Sequence, residues 1–427
     1  MSEVWLECVD CSKKYSLEKK EARYRCDCQG LLQVQYDFST VDVSRKLFDS
    51  RLGSKRLPFS SGVWRFRELI HPLVSDKQIV SRPEGNTNLY SHSKLSRFTG
   101  VKSLRFKHEG ENPTGSFKDR GMCVGISEAV RLGAKSVACA STGNTSASLA
   151  SYSSLCGLRG VVFIPQGEIA FGKLAQSIAY GSRVLQVKGN FDSAMSLVQD
   201  ASQKLGLYLL NSVNPWRIEG QKAIAFEMCQ QLDWNPPDWV VLPAGNLGNT
   251  SALGKGFSEL KQLGLIDSIP RIASIQADGA NPFYQLFSSK SKQFKPVLQP
   301  HTIASAIKIG NPVSWKKALS VIKQSRGTVE QVSDQEIMDA KAMIDSSGIG
   351  CEPASAASAA GLKKLVERGI IKSDESAVCI LTGHLLKDPQ AVIYYHSHGL
   401  EGILPHFANE MTVVEPTVQA VEAALKN

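Results

Sequence analysis

Two α/β domains built on parallel sheets, preceded by a small N-terminal module, form the fold class that the sequence predicts, and three observations predict it. The chain has 427 residues, too many for one simple core and enough for two or three. Beyond about residue 100, short β-rich runs alternate with helix-like runs at the spacing of crossover connections between parallel strands. Four of the ten cysteines crowd into the first thirty residues, a stretch too poor in core formers to fold by burial alone.

The elements follow in order. "CVDCSKKYSLEKKEARYRCDCQGLLQVQYDF" is polar and turn-rich, and a metal staple would supply the missing stabilisation. Residues 39 to 100 are irregular, with a helix predicted around "GVWRFRELI" and a turn region near "PEGNTNLYSHS". The alternation then begins: strands "SVACAS", "GVVFIP", "SRVLQVKG" and "LYLLNSV" between helices "DRGMCVGISEAVRLGA", "TSASLASYSSLCG", "GKLAQSIAYG" and "FDSAMSLVQDASQKLG". A second round has the helix "EGQKAIAFEMCQQL", the strand "WVVLPAG", a helix from Asn249, and the strands "RIASIQA" and "SAVCILTG". The tail "EPTVQAVEAALKN" reads as a closing helix, and there is no internal repeat. Ligands are expected outside the carboxyl ends of such strands.

Composition narrows the class. With 42% hydrophobic and 21% charged residues the chain can bury a core. No apolar run reaches bilayer-crossing length, and "MSEVWLECVD" lacks the basic and apolar regions of a secretory signal, so a cytoplasmic protein without a membrane partner is expected. The net charge of +9 is spread among acids and is not interleaved with aromatics, which suits anionic small molecules and gives no nucleic-acid footprint. Cys123, Cys139, Cys156, Cys229, Cys351 and Cys379 are scattered through apolar surroundings as reduced core residues.

Four strand ends carry the chemistry. "CASTGNTSAS" puts Ser141, Thr142, Asn144 and Thr145 before a helix, which is either ordinary capping or a nest for an anion. "LPAGNLGNTSALG" places Gly245, Asn246, Leu247, Gly248 and Asn249 ahead of another helix, a phosphate cradle without a Walker lysine. "NSVNPWRIEGQK" supplies Asn211, Ser212 and Arg217, either a grip for phosphate or carboxylate or a capped helix with a surface arginine. "CILTGHLLKDP" exposes Thr382 and His384. Almost no carboxylates are expected in the crevice. Paired acids for glycoside hydrolysis, a two-metal centre and a "GxSxG" elbow are all missing.

What remains reactive is Lys118, in "NPTGSFKDRG" where a helix begins. In a partly dry, donor-rich site its amine would lose its proton readily and could form an imine. With a separate phosphate cradle, the economical cofactor is pyridoxal 5′-phosphate, and a hydroxyl such as Thr382 would leave the ring nitrogen unprotonated.

These stretches resemble the threonine synthases, members of the β-family (fold type II) of pyridoxal-phosphate enzymes. "EGENPTGSFKDRGM", "CASTGNTSAS", "VKGNFDSA", "NSVNPWRIEGQKAIAFE", "PAGNLGN", "AIKIGNP", "GCEPASAA" and "LTGHLLKDP" occur in the family's order over roughly residues 80 to 395. The resemblance implies two three-layer αβα domains of the tryptophan-synthase-β-like type: a large cofactor-binding domain from 39–111 and 221–427, and a small mobile domain, 112–220, carrying the Schiff-base lysine. It implies that Lys118 is that lysine and the proton shuttle, that Asn144 meets the ring's 3-hydroxyl oxygen, that Gly245 through Asn249 hold the cofactor phosphate, and that Thr382 faces the ring nitrogen. Ser141, Thr142 and Thr145 would take the substrate α-carboxylate. Asn211, Ser212 and Arg217, with Asn246, would take the phosphate of O-phospho-L-homoserine. The implied reaction gives L-threonine and phosphate, on a homodimer.

The module at 1–38 resembles the rubredoxin-like zinc ribbon ahead of some members, with Cys8, Cys11, Cys26 and Cys28 as the ligands of a structural Zn²⁺. Its second pair, Cys26-x-Cys28, is one residue shorter than a paired knuckle. Two other positions depart from the family: Asn88 stands where proline is usual and Leu385 where glycine is usual, which would strain a positive-φ backbone by about 1 kcal/mol or more. The rival readings are a threonine or serine dehydratase or a β-replacement synthase on the same fold, and a binding protein on an inactive scaffold.

Overall fold

The structure is a computed structural model, and it describes residues 3–19, 21–166, 171–189, 191–289 and 293–426. Asn190 of the "VKGNFDSA" motif lies outside them. The N-terminal module is an antiparallel sheet of β1 (Val4–Cys8), β2 (Lys14–Ser16) and β3 (Leu32–Tyr36), in the order β2-β1-β3. β1 and β3 alternate buried and half-buried residues, the pattern of a sheet covered on one face.

Two further sheets follow. β4 (Leu89–Tyr90) and β5 (Ser103–His108) come first in the chain. Next are β6 (Ser136–Ala140), β7 (Arg159–Pro165), β8 (Arg183–Val187) and β9 (Tyr208–Leu209), which form a parallel sheet in the order β8-β7-β6-β9. Then β10 (Trp239–Pro243), β11 (Arg271–Ala277), β12 (Thr328–Val332) and β13 (Ser376–Leu381) join β5 and β4 in a six-stranded sheet, order β12-β11-β10-β13-β5-β4. Only β4 runs antiparallel to its neighbour. Every residue of β10 is buried, as expected of a central strand with helices on both faces.

The structure differs from expectation in three places. β5 and β12 were not anticipated, because buried Lys107 and Glu330 interrupt their apolar runs. The helix expected over "EGQKAIAFEMCQQL" is two helices, Pro215–Gln221 and Ala223–Gln231, broken at Lys222. The helix expected around "GVWRFRELI" is a 3-10 turn, Trp64–Phe66, running into one α-turn, Arg67–Ile70.

One helix crossing positions the site. Helix Lys118–Arg131 meets Pro215–Gln221 backbone to backbone: a Cβ on Gly220 would lie 1.8 Å from the Arg120 carbonyl oxygen, and one on Gly121 2.7 Å from that of Arg217. Only glycine permits this approach, and it brings the first residue of one helix close to Arg217 of the other. Beneath, buried Glu227 accepts from Lys107 Nζ (2.6 Å), Arg120 Nη2 (2.8 Å) and Arg65 Nη2 (3.0 Å), while Arg120 Nε also donates to Glu109 (2.6 Å).

Candidate active site

Lys118 is the first residue of its helix, and no side chain caps that helix start. The turn before it is tied to the end of β13. Phe117 N–H donates to the Thr382 carbonyl (3.0 Å) and His384 N–H to that of Gly115 (2.9 Å). Asp119 clamps the same turn from inside, accepting from Thr114 N–H (2.7 Å), Thr114 Oγ1 (2.6 Å) and Ser148 Oγ (2.5 Å). Burial raises the Asp119 carboxyl to about 6 despite these donors. Lys118 itself is half-buried, with Nζ 4.2 Å from the centre of the Phe117 ring. Loss of solvent, then the charge of Arg217, brings its amine down to about 7, against an opposing pull from Glu352. A neutral, nucleophilic amine is therefore available near neutral pH.

The loop after β10 is a cradle. Leu247 adopts the left-handed conformation (φ 64°) and leads into helix Gly248–Gln262, again with no side-chain cap. Buried Asn249 has no hydrogen-bond partner for either end of its amide among the described residues. A Cβ on Gly245 would come within 3.2 Å of both the Ala306 oxygen and Ile307 Cα. Asn246 braces the loop from below: its Oδ1 accepts from Val313 N–H and its carbonyl from Ser314 N–H, each 3.2 Å. Free helix N–H groups and an orphaned buried amide are the donors that a phosphate monoester needs.

After β6, Gly143 leads into helix Asn144–Leu155 without a side-chain cap, so ordinary capping does not explain Thr142 and Thr145. Ser141 Oγ accepts from Gly143 N–H (3.2 Å), shaping the turn. Asn144 Nδ2 lies 3.1 Å from both carboxylate oxygens of Glu352. Glu352 corrects the expectation of a crevice almost without carboxylates. It is buried, its N–H donates to the Gly383 carbonyl (3.0 Å), and a Cβ on Gly383 would strike its carboxylate at 2.3 Å. The motif "GCEPASAA" held it in plain view, but one acid without a partner gave no chemical signal.

Thr382 Oγ1 sits 3.0 Å from Ser355 Oγ, buried at the end of β13. After β9, Arg217 is buried, donates from Nη1 to the Leu210 carbonyl (3.0 Å), and has no partner for Nε among the described residues. Burial lowers it to about 10, where it remains a cation at neutral pH. Its helix is capped by Asn214, whose side chain accepts from Trp216 N–H (3.0 Å). Ser212 is half-buried beside it. Asn211 Oδ1 accepts from Ala140 N–H and Nδ2 donates to the Ala140 carbonyl, both 3.0 Å, so its amide extends the β6–β9 pairing and keeps its second Nδ2 hydrogen.

The departing positions carry no strain. Leu385 opens a 3-10 turn, Leu385–Lys387, and is not among the positive-φ residues, so the anticipated penalty does not arise. Asn88 N–H donates to Glu111 (2.6 Å), a bond that proline could not make. In the N-terminal module the four cysteine sulfurs lie within 4.8 Å of one another. A tetrahedral Zn²⁺ with Zn–S of about 2.3 Å fits such a cluster. A Cβ on Gly30 would lie 2.7 Å from Cys8 Sγ, so glycine is required where the second pair turns.

A half-buried lysine with its amine near neutrality, an uncapped glycine-rich loop after β10 and a buried arginine are the residue types that a cofactor enzyme with an imine-forming lysine would use. The chain belongs to the pyridoxal-phosphate dependent enzymes, whose family model matches residues 80–383, and within them to the threonine synthase family. It is 50% identical over 387 residues to the threonine synthase of Methanocaldococcus jannaschii, covering 90% of this chain and 93% of that one. It is 46% identical to that of Methanosarcina acetivorans, covering 98% of each, and 40% identical to chloroplastic threonine synthase 2 of Arabidopsis thaliana, over 97% and 82%. The solved threonine synthase of Escherichia coli shares the fold, with a TM-score of 0.69 at 18% identity, covering 99% of this chain and 94% of that one.

Proposed function

We propose that this crevice converts O-phospho-L-homoserine and water to L-threonine and phosphate. What supports the reading is Lys118, its amine near neutrality and acted on by the charge of buried Arg217, together with a separate set of donors at the uncapped loop with Asn249. A dehydratase needs only that loop.

The helix start at Gly248, with Gly245, Asn246, Leu247 and Asn249, would hold the cofactor phosphate. Asn144, its amide fixed by Glu352, would meet the ring oxygen. Thr382, oriented by Ser355, would face the ring nitrogen. Pyridoxal phosphate supplies an electron sink for carbanions at the substrate. Ser141, Thr142, Thr145 and the open helix start at Gly143 bind the α-carboxylate, while Arg217 and Ser212, with Asn246, bind the substrate phosphate. Lys118 removes the proton from Cα and then one from Cβ. The Cγ–O bond breaks and phosphate departs with the electron pair. A proton goes to Cγ, which becomes the methyl group, water delivers hydroxide to Cβ, and Cα regains its proton.

The small unit, residues 112–220, is the part that closes over substrate. Support comes from Lys387, on the loop after β13, whose Nζ donates to Gln176 of helix Phe171–Ala179 (2.5 Å) across the crevice. The enzyme works as a cytoplasmic homodimer without nucleic acid, and light scattering on the purified protein tests the dimer. No helix among the described residues is long and apolar enough to cross a membrane. The test of the activity is an absorbance spectrum of wild type and Lys118→Ala, with phosphate and threonine assayed after adding O-phospho-L-homoserine. A cofactor band that requires Lys118, with the two products in equal amounts, is expected. Turnover of free threonine or serine with none of phosphohomoserine would overturn it.

A further inference from the structure

β9 is an edge strand: it pairs with β6 on one side and, among the described residues, has no strand on the other. Its last residue, Leu209, is buried, and a buried N–H at an open edge needs a partner. That partner comes from the N-terminal module. Leu209 N–H donates to the hydroxyl of Tyr24 at 2.7 Å, and the Tyr24 ring packs edge-on against Tyr208 with centres 5.8 Å apart. Tyr24 stands two residues before Cys26, one of the four clustered sulfurs. Tyr24 and Leu31, on either side of the second cysteine pair, pack against the apolar cluster that contains Leu209 and Val213.

The other side of the same residue leads to substrate. The Leu209 carbonyl accepts from Asn214 Nδ2 (2.9 Å), and Asn214 caps the helix that carries Arg217. The next carbonyl, Leu210, accepts from Arg217 Nη1 (3.0 Å). Leu209 is thus held on one side by the cysteine module and on the other by the cap of the arginine helix.

We propose that Tyr24 is a positioning residue for the substrate-phosphate site, through which metal bound at Cys8, Cys11, Cys26 and Cys28 sets the affinity of Arg217 for phosphate. The inference rests on the assignment of Arg217 made above. Metal at the four thiolates fixes Cys26, the segment leading into Cys26 carries that constraint to Tyr24, and Tyr24 fixes the end of β9. Cofactor binding uses other strand ends, after β6, β10 and β13, and does not follow.

The test compares cofactor-loaded wild type with Tyr24→Phe, which keeps the ring and deletes the hydroxyl. Losing one hydrogen bond of ordinary strength moves an equilibrium about 5-fold. The KM for O-phospho-L-homoserine and the dissociation constant of inorganic phosphate, by calorimetry, are both expected to rise by about that factor. The value of kcat and the cofactor spectrum should stay as in wild type. Metal content, assayed before and after chelation, adds a second arm. Chelation should weaken phosphate binding in wild type and add nothing in Tyr24→Phe. If chelated wild type unfolds, the Tyr24→Phe comparison decides alone. Unchanged phosphate affinity in Tyr24→Phe, or a parallel fall of kcat, cofactor occupancy and phosphate affinity, would overturn the proposal. A wild type that binds phosphate yet makes no threonine would fail the functional reading and leave the Tyr24 comparison intact.

Discussion

Replacing Lys118 by methionine should stabilise the cofactor-free protein at pH 6. In the fold the ammonium form of Lys118 is disfavoured by lost solvent and by Arg217, so its proton leaves at about 7, whereas an exposed lysine holds it to 10.5. Between those values the unfolded chain binds the extra proton, so wild-type stability rises with pH from about 7 to 10.5, and below about 7 the cost is full. Each unit of displacement corresponds to about 1.4 kcal/mol, an upper limit near 5 kcal/mol for the whole interval. Lys118 is only half-buried, so solvent screens part of that, leaving a gain of about 2 kcal/mol for Lys118→Met at pH 6. Methionine keeps the length and the contact with Phe117 and carries no charge. The assay is urea denaturation of both proteins, freed of cofactor, at intervals from pH 6 to 10. The gain should be largest at pH 6 and shrink as pH rises. A constant difference, or a less stable variant at pH 6, would refute the claim that this lysine is held against its charge.

Three further changes probe the rest of the molecule. Asn249→Ala removes an amide whose buried ends have no partner among the described residues, and should weaken pyridoxal-phosphate binding about 10-fold by spectrophotometric titration while leaving the unfolding midpoint nearly unchanged. Arg217→Lys keeps a charge but loses the fork that reaches both the Leu210 carbonyl and an anion; inorganic phosphate should bind about 10-fold more weakly, with cofactor affinity unaffected. Glu227→Gln leaves Lys107, Arg120 and Arg65 without their shared counter-ion in a dry interior and should cost about 3–5 kcal/mol in denaturant titrations.

The parallel sheets were legible because their strands are short apolar runs between helical patterns, and the loops at their carboxyl ends announced themselves by Gly, Asn, Ser and Thr. Lys118 stood out because nothing else reactive entered the same crevice. Long-range pairing left no such trace. Lys107 in β5 looks like a surface charge until the fold brings Glu227 against it, 120 residues away in sequence. Asn211 reads as a ligand in sequence, and only the fold shows that its amide also pairs with Ala140. Glu352 was invisible for a related reason: a single acid acquires meaning only from its neighbour, and Asn144 lies 208 residues away. Leu385 shows the opposite case, a suspected misfit that the local turn accommodates at negative φ.

The central claim, that phosphate leaves by Cγ–O cleavage and water enters at Cβ, is tested most directly by turnover in ¹⁸O-water. Threonine and phosphate are then analysed by mass spectrometry. The account predicts threonine labelled at its hydroxyl and phosphate without label. Labelled phosphate released together with homoserine would mean attack at phosphorus, and would contradict it.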